Sequence, residues 1–386
     1  MAKRAYIGVD NVARKIKKGY IGVDGVARKI KKAYIGIGGV ARPCWSSGVL
    51  ERYGNITPLS DTVYHLGAAS VGNYALFAGG ITYADGTKSQ VDAYSKSLTR
   101  TSPSDGLSRA RSHIVGGSVG NYALLAGGVF GNASSTTTVE AYDVNLTKTV
   151  PEALSYARKW HSSARAGNYL VIHGGANATV ADGYDNSLSR YTIEVPSNYK
   201  KVEYCSSASI GNYALFGGGR VIGTSTNIVV AFDSSLTYSL PEGLLGARYL
   251  HFATSVNDYA LFAGGEYYLG TSGSIYADDL ISVYDESLTR TNSIKLKSAR
   301  RSAEAVSMEG YALFAGGYGI LSSGGYSEMT DVDAFDKSLT AVTVAPLAQC
   351  RVDAAATSVG DYALIGGGWV GSLREGTDSV EAYVVN

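Results

Sequence analysis

Arg111, Arg158, Arg248, Arg300 and Arg351 each stand four residues after a leucine that opens a repeated phrase, and the two other copies of the phrase carry Val63 and Val202 there. Guanidinium groups gathered at one rim would capture carboxylates, phosphates or sulfates by charge-assisted hydrogen bonds. Paired locally with an Asp or a backbone carbonyl, the same groups would fix the spacing of neighbouring units. Histidines offer a second chemistry. His65, His113, His161 and His251 lie six or seven residues past the same leucines, and His173 lies apart from them. A metal site needs its ligands in matching register, and these four are out of register with no consistent acid beside them. They read as strand-face side chains, so no metal and no cofactor is expected. The string Gly116-Gly117-Ser118-Val119-Gly120 has the wording of a nucleophile elbow, but it falls at a strand-to-strand turn where an elbow needs a strand-to-helix turn. No catalytic residue is expected.

The elements that carry these residues repeat seven times. Tyr74, Tyr122, Tyr169, Tyr213, Tyr259, Tyr311 and Tyr362 each begin a run such as Tyr74-Ala75-Leu76-Phe77-Ala78-Gly79-Gly80, at spacings of 48, 47, 44, 46, 52 and 51 residues. A period of that length belongs to stacked or radial arrays. About fourteen residues after each glycine pair comes a second phrase, Val91-Asp92-Ala93-Tyr94 in the first copy, followed by a turn and a leucine. With the small-residue run upstream of each tyrosine, this predicts four short antiparallel strands per unit, the content of one propeller blade. The last copy stops at Asn386, before its fourth strand. Leu50-Glu51-Arg52 matches Leu98-Thr99-Arg100 and precedes Leu59 by the nine residues that separate Leu98 from Leu107, so the early segment can complete the final blade. The expected fold is all-β: a seven-bladed propeller over residues 46–386, closed by an N-terminal strand and preceded by a short basic arm over 1–45.

At these residues the chain resembles the kelch-repeat propellers, whose second strand ends in a glycine pair and whose third carries an aromatic. The pairs from Gly79-Gly80 to Gly367-Gly368 fit that pattern over residues 50–386. The chain departs from it at the fourth strand, where the family places a tryptophan; the tryptophans here are Trp45, Trp160 and Trp369.

Residues 1–45 follow a different period. Tyr6, Tyr20 and Tyr34 open fourteen-residue copies in which Asp10-Asn11, Asp24-Gly25 and Gly38-Gly39 sit between β-branched residues, and each copy therefore reads as a hairpin. Arg14, Lys15, Arg28, Lys29 and Arg42 belong to a region of net charge +9, while the rest of the chain carries −8. The total of +1 conceals a basic arm on an acidic body. So short a set of hairpins needs a partner surface, and Tyr6, Arg14, Lys15, Tyr20, Arg28, Lys29, Tyr34 and Arg42 are its assembly candidates. The tract Lys31 to Arg42 is similar to repeats at the amino ends of tail- or fibre-type structural proteins of phages and prophages. That resemblance implies a virion protein, anchored to other virion proteins through residues 1–45, with a homo-oligomer as a further option.

The loops between second and third strands vary in length and are rich in Tyr, Ser and Gly, whereas the opposite turns are nearly uniform. Tyrosine on a rigid frame gives large contact area at low entropy cost. Tyr267, Tyr268, Tyr276, Tyr318, Tyr326 and Trp369, with the five arginines, are therefore the candidate contacts to a host-surface glycan or protein. The preferred expectation is a non-enzymatic attachment protein; the alternatives are a glycan-acting kelch-type enzyme of epimerase or mutarotase kind, and a protein-binding scaffold. No apolar run reaches the eighteen residues of a membrane span, and Met1 to Tyr6 lacks the apolar core of a secretion signal. The expected location is the virion, without membrane insertion. Three cysteines without ligand spacing indicate neither a disulfide framework nor a zinc site.

Overall fold

The computed structural model describes residues 6–9, 12–15, 19–23, 26–30, 32–37, 40–46, 48–131, 134–269, 274–291, 294–320, 326–371 and 375–386, with backbone alone up to 46 and at 268, 269, 274–276 and 320. Within them the chain is all-β, with one 3-10 turn at Ser197–Tyr199. Seven four-stranded antiparallel sheets follow one another along residues 50–386, and each runs first, second, third, fourth strand in space as in sequence, except that the fourth strand of the last sheet comes from the other end of the chain. Leu50–Ile56 supplies it, pairing with Val380–Val385 so that Val385 faces Leu50 and Tyr383 faces Arg52. The register predicted from Leu50 and Leu98 is the one adopted.

Burial explains why the second strand reads as a continuous apolar run. Tyr74–Ala78 is hydrogen-bonded on both edges and covered on both faces, so Leu76 and Phe77 are equally buried. First strands alternate instead, as in Gly67–Val71 and Ser206–Ile210, because one face meets a neighbouring sheet and the other a central cavity. The first strand of each sheet lies against that of the next, and the first strand of the last sheet lies against that of the first. The core is correspondingly divided into seven clusters, each between two consecutive sheets. One contains Phe77 and Tyr94 with Leu364 and Val380; another contains Phe252 and Leu261 with Phe314 and Phe335.

The glycine pairs make the seams between sheets. In every copy the second glycine donates its N–H to the carbonyl of the Arg or Val that occupies the repeated position of the next unit: Gly80 to Arg111, Gly265 to Arg300 and Gly368 to Val63, at 3.0, 2.9 and 2.8 Å. The first glycine has positive φ, and a Cβ on Gly264 would stand 2.5 Å from the Arg300 carbonyl oxygen. Side chains are excluded there by contact as well as by backbone angle. Third-strand tyrosines add a second tie, because the hydroxyls of Tyr94, Tyr142, Tyr184, Tyr284 and Tyr383 donate to the carbonyls of Thr57, Asp105, Glu152, Glu242 and Ala345 at 2.7–3.0 Å.

Several segments expected as plain variable loops are themselves ordered. Six of the seven second-to-third connections carry a small hairpin, such as Ile81–Thr82 with Gly86–Thr87 and Glu266–Leu269 with Ser274–Ala277. The early region forms three separate two-stranded hairpins, Tyr6–Val9 with Val12–Lys15, Gly19–Val23 with Val26–Ile30, and Lys32–Ile37 with Val40–Ser46. Their two-residue turns lie outside the described residues.

Candidate functional site

The five arginines do not face an open rim. Each is at most 1% exposed and is held by a carboxylate of its own sheet, Arg111 by Glu140, Arg158 by Asp182, Arg300 by Asp333 and Arg351 by Glu381 on third strands and Arg248 by Asp278 just before one, at 2.6–3.1 Å. Further donors reach strand-end carbonyls, as from Arg111 to Leu125 at 3.1 Å and from Arg351 to Gly367 at 3.2 Å. The expected anion-binding ring is thus corrected to a set of buried ties. A guanidinium at most 1% exposed and paired inside its own sheet is out of reach of an anion arriving from solvent.

Two residues further along every copy lies a position that sequence reasoning missed. His65, His113, Trp160, Tyr204, Leu250, Ser302 and Asp353 occupy it, and all seven adopt left-handed backbone with φ between 51° and 57°. That conformation costs a non-glycine residue roughly 1–2 kcal/mol, and here it is imposed from outside. The residue before each collar position is commonly tied to the residue after the glycine pair, as Tyr64 is to Ile81, Tyr249 to Glu266 and Arg301 to Tyr318. Collar residues also bond to one another, with His65 N–H to Asp353 O at 2.9 Å, His113 to His65 at 2.8 Å and Tyr204 to Trp160 at 2.9 Å. The result is a collar of fixed backbone and unlike side chains at the axis. Strained backbone of this kind gathers at ligand clamps.

Over more than half of the collar the side chains form one arc of rings. Trp369 meets Tyr64 edge-on at 5.1 Å, Tyr64 meets His65 at 5.1 Å, and His65 stacks on His113 at 4.0 Å. The arc continues through Trp160 at 6.5 Å, stacks onto Tyr204 at 4.7 Å and ends at Tyr249, 6.2 Å on. Two cations lie over its rings: Lys159 over Trp160 at 4.1 Å and Arg220 over Tyr249 at 4.9 Å. Burial lowers His65 to about 4 and His113 to about 3, so both are neutral rings at physiological pH. The remaining stretch carries acid: Asp353, 3.9 Å from the His65 Nε2, and Glu304 just inside.

Behind the collar a well of about 330 Å³ runs along the axis, lined by small and hydroxyl side chains including Ser162, Ser163, Ser206 and Ser207, with Glu304 as its one carboxyl. His161 lies at the collar end and His251 lines the well. The His161 Nε2 lies 3.1 Å from the Ala126 carbonyl of the preceding sheet, and burial lowers both imidazoles to about 3. His173 is buried among Tyr199, Phe216 and Phe232. Among the described residues no group of three or more His, Cys, Asp or Glu is arranged to hold a metal ion.

Of the loop aromatics, Trp369 belongs to the arc, touching Tyr83 as well as Tyr64. Tyr318 and Tyr326 stack on each other at 5.9 Å, with Arg301 over Tyr318. Tyr267 stands opposite Tyr276 in the hairpin register, while the side chains of Tyr268 and Tyr276 lie outside the described residues. So do those of Tyr6, Arg14, Lys15, Tyr20, Arg28, Lys29, Tyr34 and Arg42, although the hairpin registers set Tyr6 opposite Lys15, Tyr20 opposite Lys29 and Ile35 opposite Arg42. A signal for the collar did exist. It is the variable position two residues past the Arg or Val of an otherwise uniform phrase.

No protein-family model and no curated protein matches the chain. Among solved structures it is similar to that of YjhT, with a TM-score of 0.57 and 11% identity over 74% of this chain and 98% of that one. At that identity the likeness speaks for the fold alone, and the fold is all-β and propeller-like. No helix among the described residues is long and apolar enough to cross a membrane.

Proposed function

We propose that the chain is a closed seven-bladed kelch-like propeller that serves as a non-catalytic attachment protein, its collar binding a saccharide of a host surface and its hairpin arm fixing it to a larger particle. The observation that carries the reading is the arc of seven rings from Trp369 to Tyr249 on a rigid collar. Aromatic faces cover the apolar faces of sugar rings, and a collar already held in place adds little ordering cost on binding. Support for the arm comes from its charge of +9 against −8 for the remainder, its three two-stranded hairpins and its similarity to phage tail- and fibre-type repeats. The particle is on this reading a virion. Glycan-array binding of the full chain tests the collar: Trp160→Ala and Tyr204→Ala should each lose at least about tenfold in apparent affinity, the scale of one lost ring contact. Undiminished binding by both variants would overturn it. Deleting residues 1–45 should abolish incorporation into particles and leave glycan binding intact.

A second reading has one observation in its favour. Glu304 and Asp353 stand together at the collar, and burial raises both, Glu304 to about 8. A carboxyl protonated near neutrality can act as a general acid on a sugar. Proton-NMR monitoring of anomer or epimer exchange separates the two, since turnover lost on Glu304→Gln would favour the enzyme.

A further inference from the structure

The well beneath the collar has an unbalanced charge. The side chains lining it and its collar end include the carboxyls of Glu304 and Asp353, and no Lys or Arg is among them. The imidazoles beside them, His65, His113, His161 and His251, are held neutral by burial, and the Cys205 thiol is pushed up to about 11. Of the nearby cations, Arg301 pairs with Glu266 at 2.9 Å while its charge still reaches Asp353, and Lys159 lies over the Trp160 ring at 4.1 Å. The Glu304 side chain has no hydrogen-bond or ion-pair partner among the described residues, while the rings of His113, Trp160 and Tyr204 stand across the collar. A pair of acids facing aromatic rings over an enclosed space offers carboxylates and phosphates no cation to pair with. It attracts an organic cation, which the carboxylates neutralise and the ring faces solvate.

We propose that the axial well takes the ammonium group of an amine-bearing ligand of about monosaccharide size, seated between Glu304 and Asp353 and covered by Trp160 and Tyr204. The proposal deepens the saccharide reading and rests on it. A space of about 330 Å³ accommodates one sugar ring, and the serines 162, 163, 206 and 207 give its hydroxyls partners. Burial raises Glu304 to about 8, so the empty well holds a proton at neutral pH, and an arriving ammonium displaces it. Binding then releases protons, which a neutral sugar would not cause.

The test is isothermal titration of the full chain with glucosamine, N-acetylglucosamine, glucose and glucuronate at pH 7, in two buffers of different ionisation heat. Expected is binding of glucosamine about tenfold or more tighter than of the two neutral sugars, no detectable glucuronate binding, and a buffer-dependent heat reporting proton release. Glu304→Gln should erase the preference for the amine, with circular dichroism and the melting temperature confirming that it folds. Equal or tighter binding of N-acetylglucosamine or glucose, binding of glucuronate, or an unchanged preference in Glu304→Gln would overturn the proposal. Should the neutral sugars bind and Trp160→Ala lose them, the saccharide reading stands while the ammonium assignment falls. Should glycan-array binding survive Trp160→Ala and Tyr204→Ala, the saccharide reading itself falls.

Discussion

Replacing Arg111 by Met distinguishes a buried tie from an anion site. Arg111 and Glu140 are both fully buried, 2.8 Å apart, and Arg111 also donates to the Leu125 carbonyl. Breaking such a pair costs roughly 3–5 kcal/mol, mostly because the remaining charge is left in a dry site. Glu140 keeps the Ser108 N–H at 2.5 Å and Lys148 at 3.8 Å. These place Arg111→Met near the lower end, about 3 kcal/mol. Glu140→Leu strands a guanidinium whose other bond among the described residues is to the Leu125 carbonyl, so it should cost more, about 4–5 kcal/mol. The double replacement removes both charges and should cost less than either single one. Urea unfolding followed by intrinsic fluorescence and circular dichroism gives the midpoints, and comparison at constant m gives the differences. A single Arg111→Met variant within about 1 kcal/mol of wild type, with additive behaviour in the double, would show that the pair is not a stabilising tie.

The buried histidines make stability acid-sensitive. Burial lowers His65 to about 4 and the other four to about 3, below the unfolded value of 6.5, so between those limits the unfolded chain binds more protons and stability falls as pH falls. Each histidine contributes at most about 1.4 kcal/mol per pH unit below 6.5, and His173→Phe, in its nest of rings, should flatten the profile measured by urea midpoints from pH 7 to 5. An unchanged slope would mean that His173 is already protonated or solvated. Gly264→Ala should cost several kcal/mol, because its Cβ would meet the Arg300 carbonyl at 2.5 Å, whereas Gly86→Ala, with nothing within 4 Å, should cost about 1 kcal/mol for its positive φ alone; equal melting temperatures would refute the seam argument. Removing residues 1–47 should leave a monodisperse body. Removing 1–57 takes away the strand paired with Val380–Val385 and exposes a sheet edge, so light scattering should report association.

Repetition made the body legible in advance. Strand positions followed from Tyr-Ala-Leu-Phe runs and glycine pairs, and the completing role of Leu50–Ile56 followed from a nine-residue spacing. Such features are local, since a strand needs only its own apolar pattern and a turn only its own glycine. The arginine pairing was not legible. Arg111 and Glu140 are 29 residues apart, and nothing in the phrase around either says that both lose all contact with water. The collar left only a variable position in a uniform phrase, because residues as unlike as His65, Leu250 and Asp353 share no type to recognise, only a backbone angle. The amino-acid order by itself determined the unit, its number of copies and the basic arm. Only the tertiary structure decided which charges are spent inside and which side chains meet at the axis, because burial and convergence arise when seven sheets pack together and belong to no single one of them.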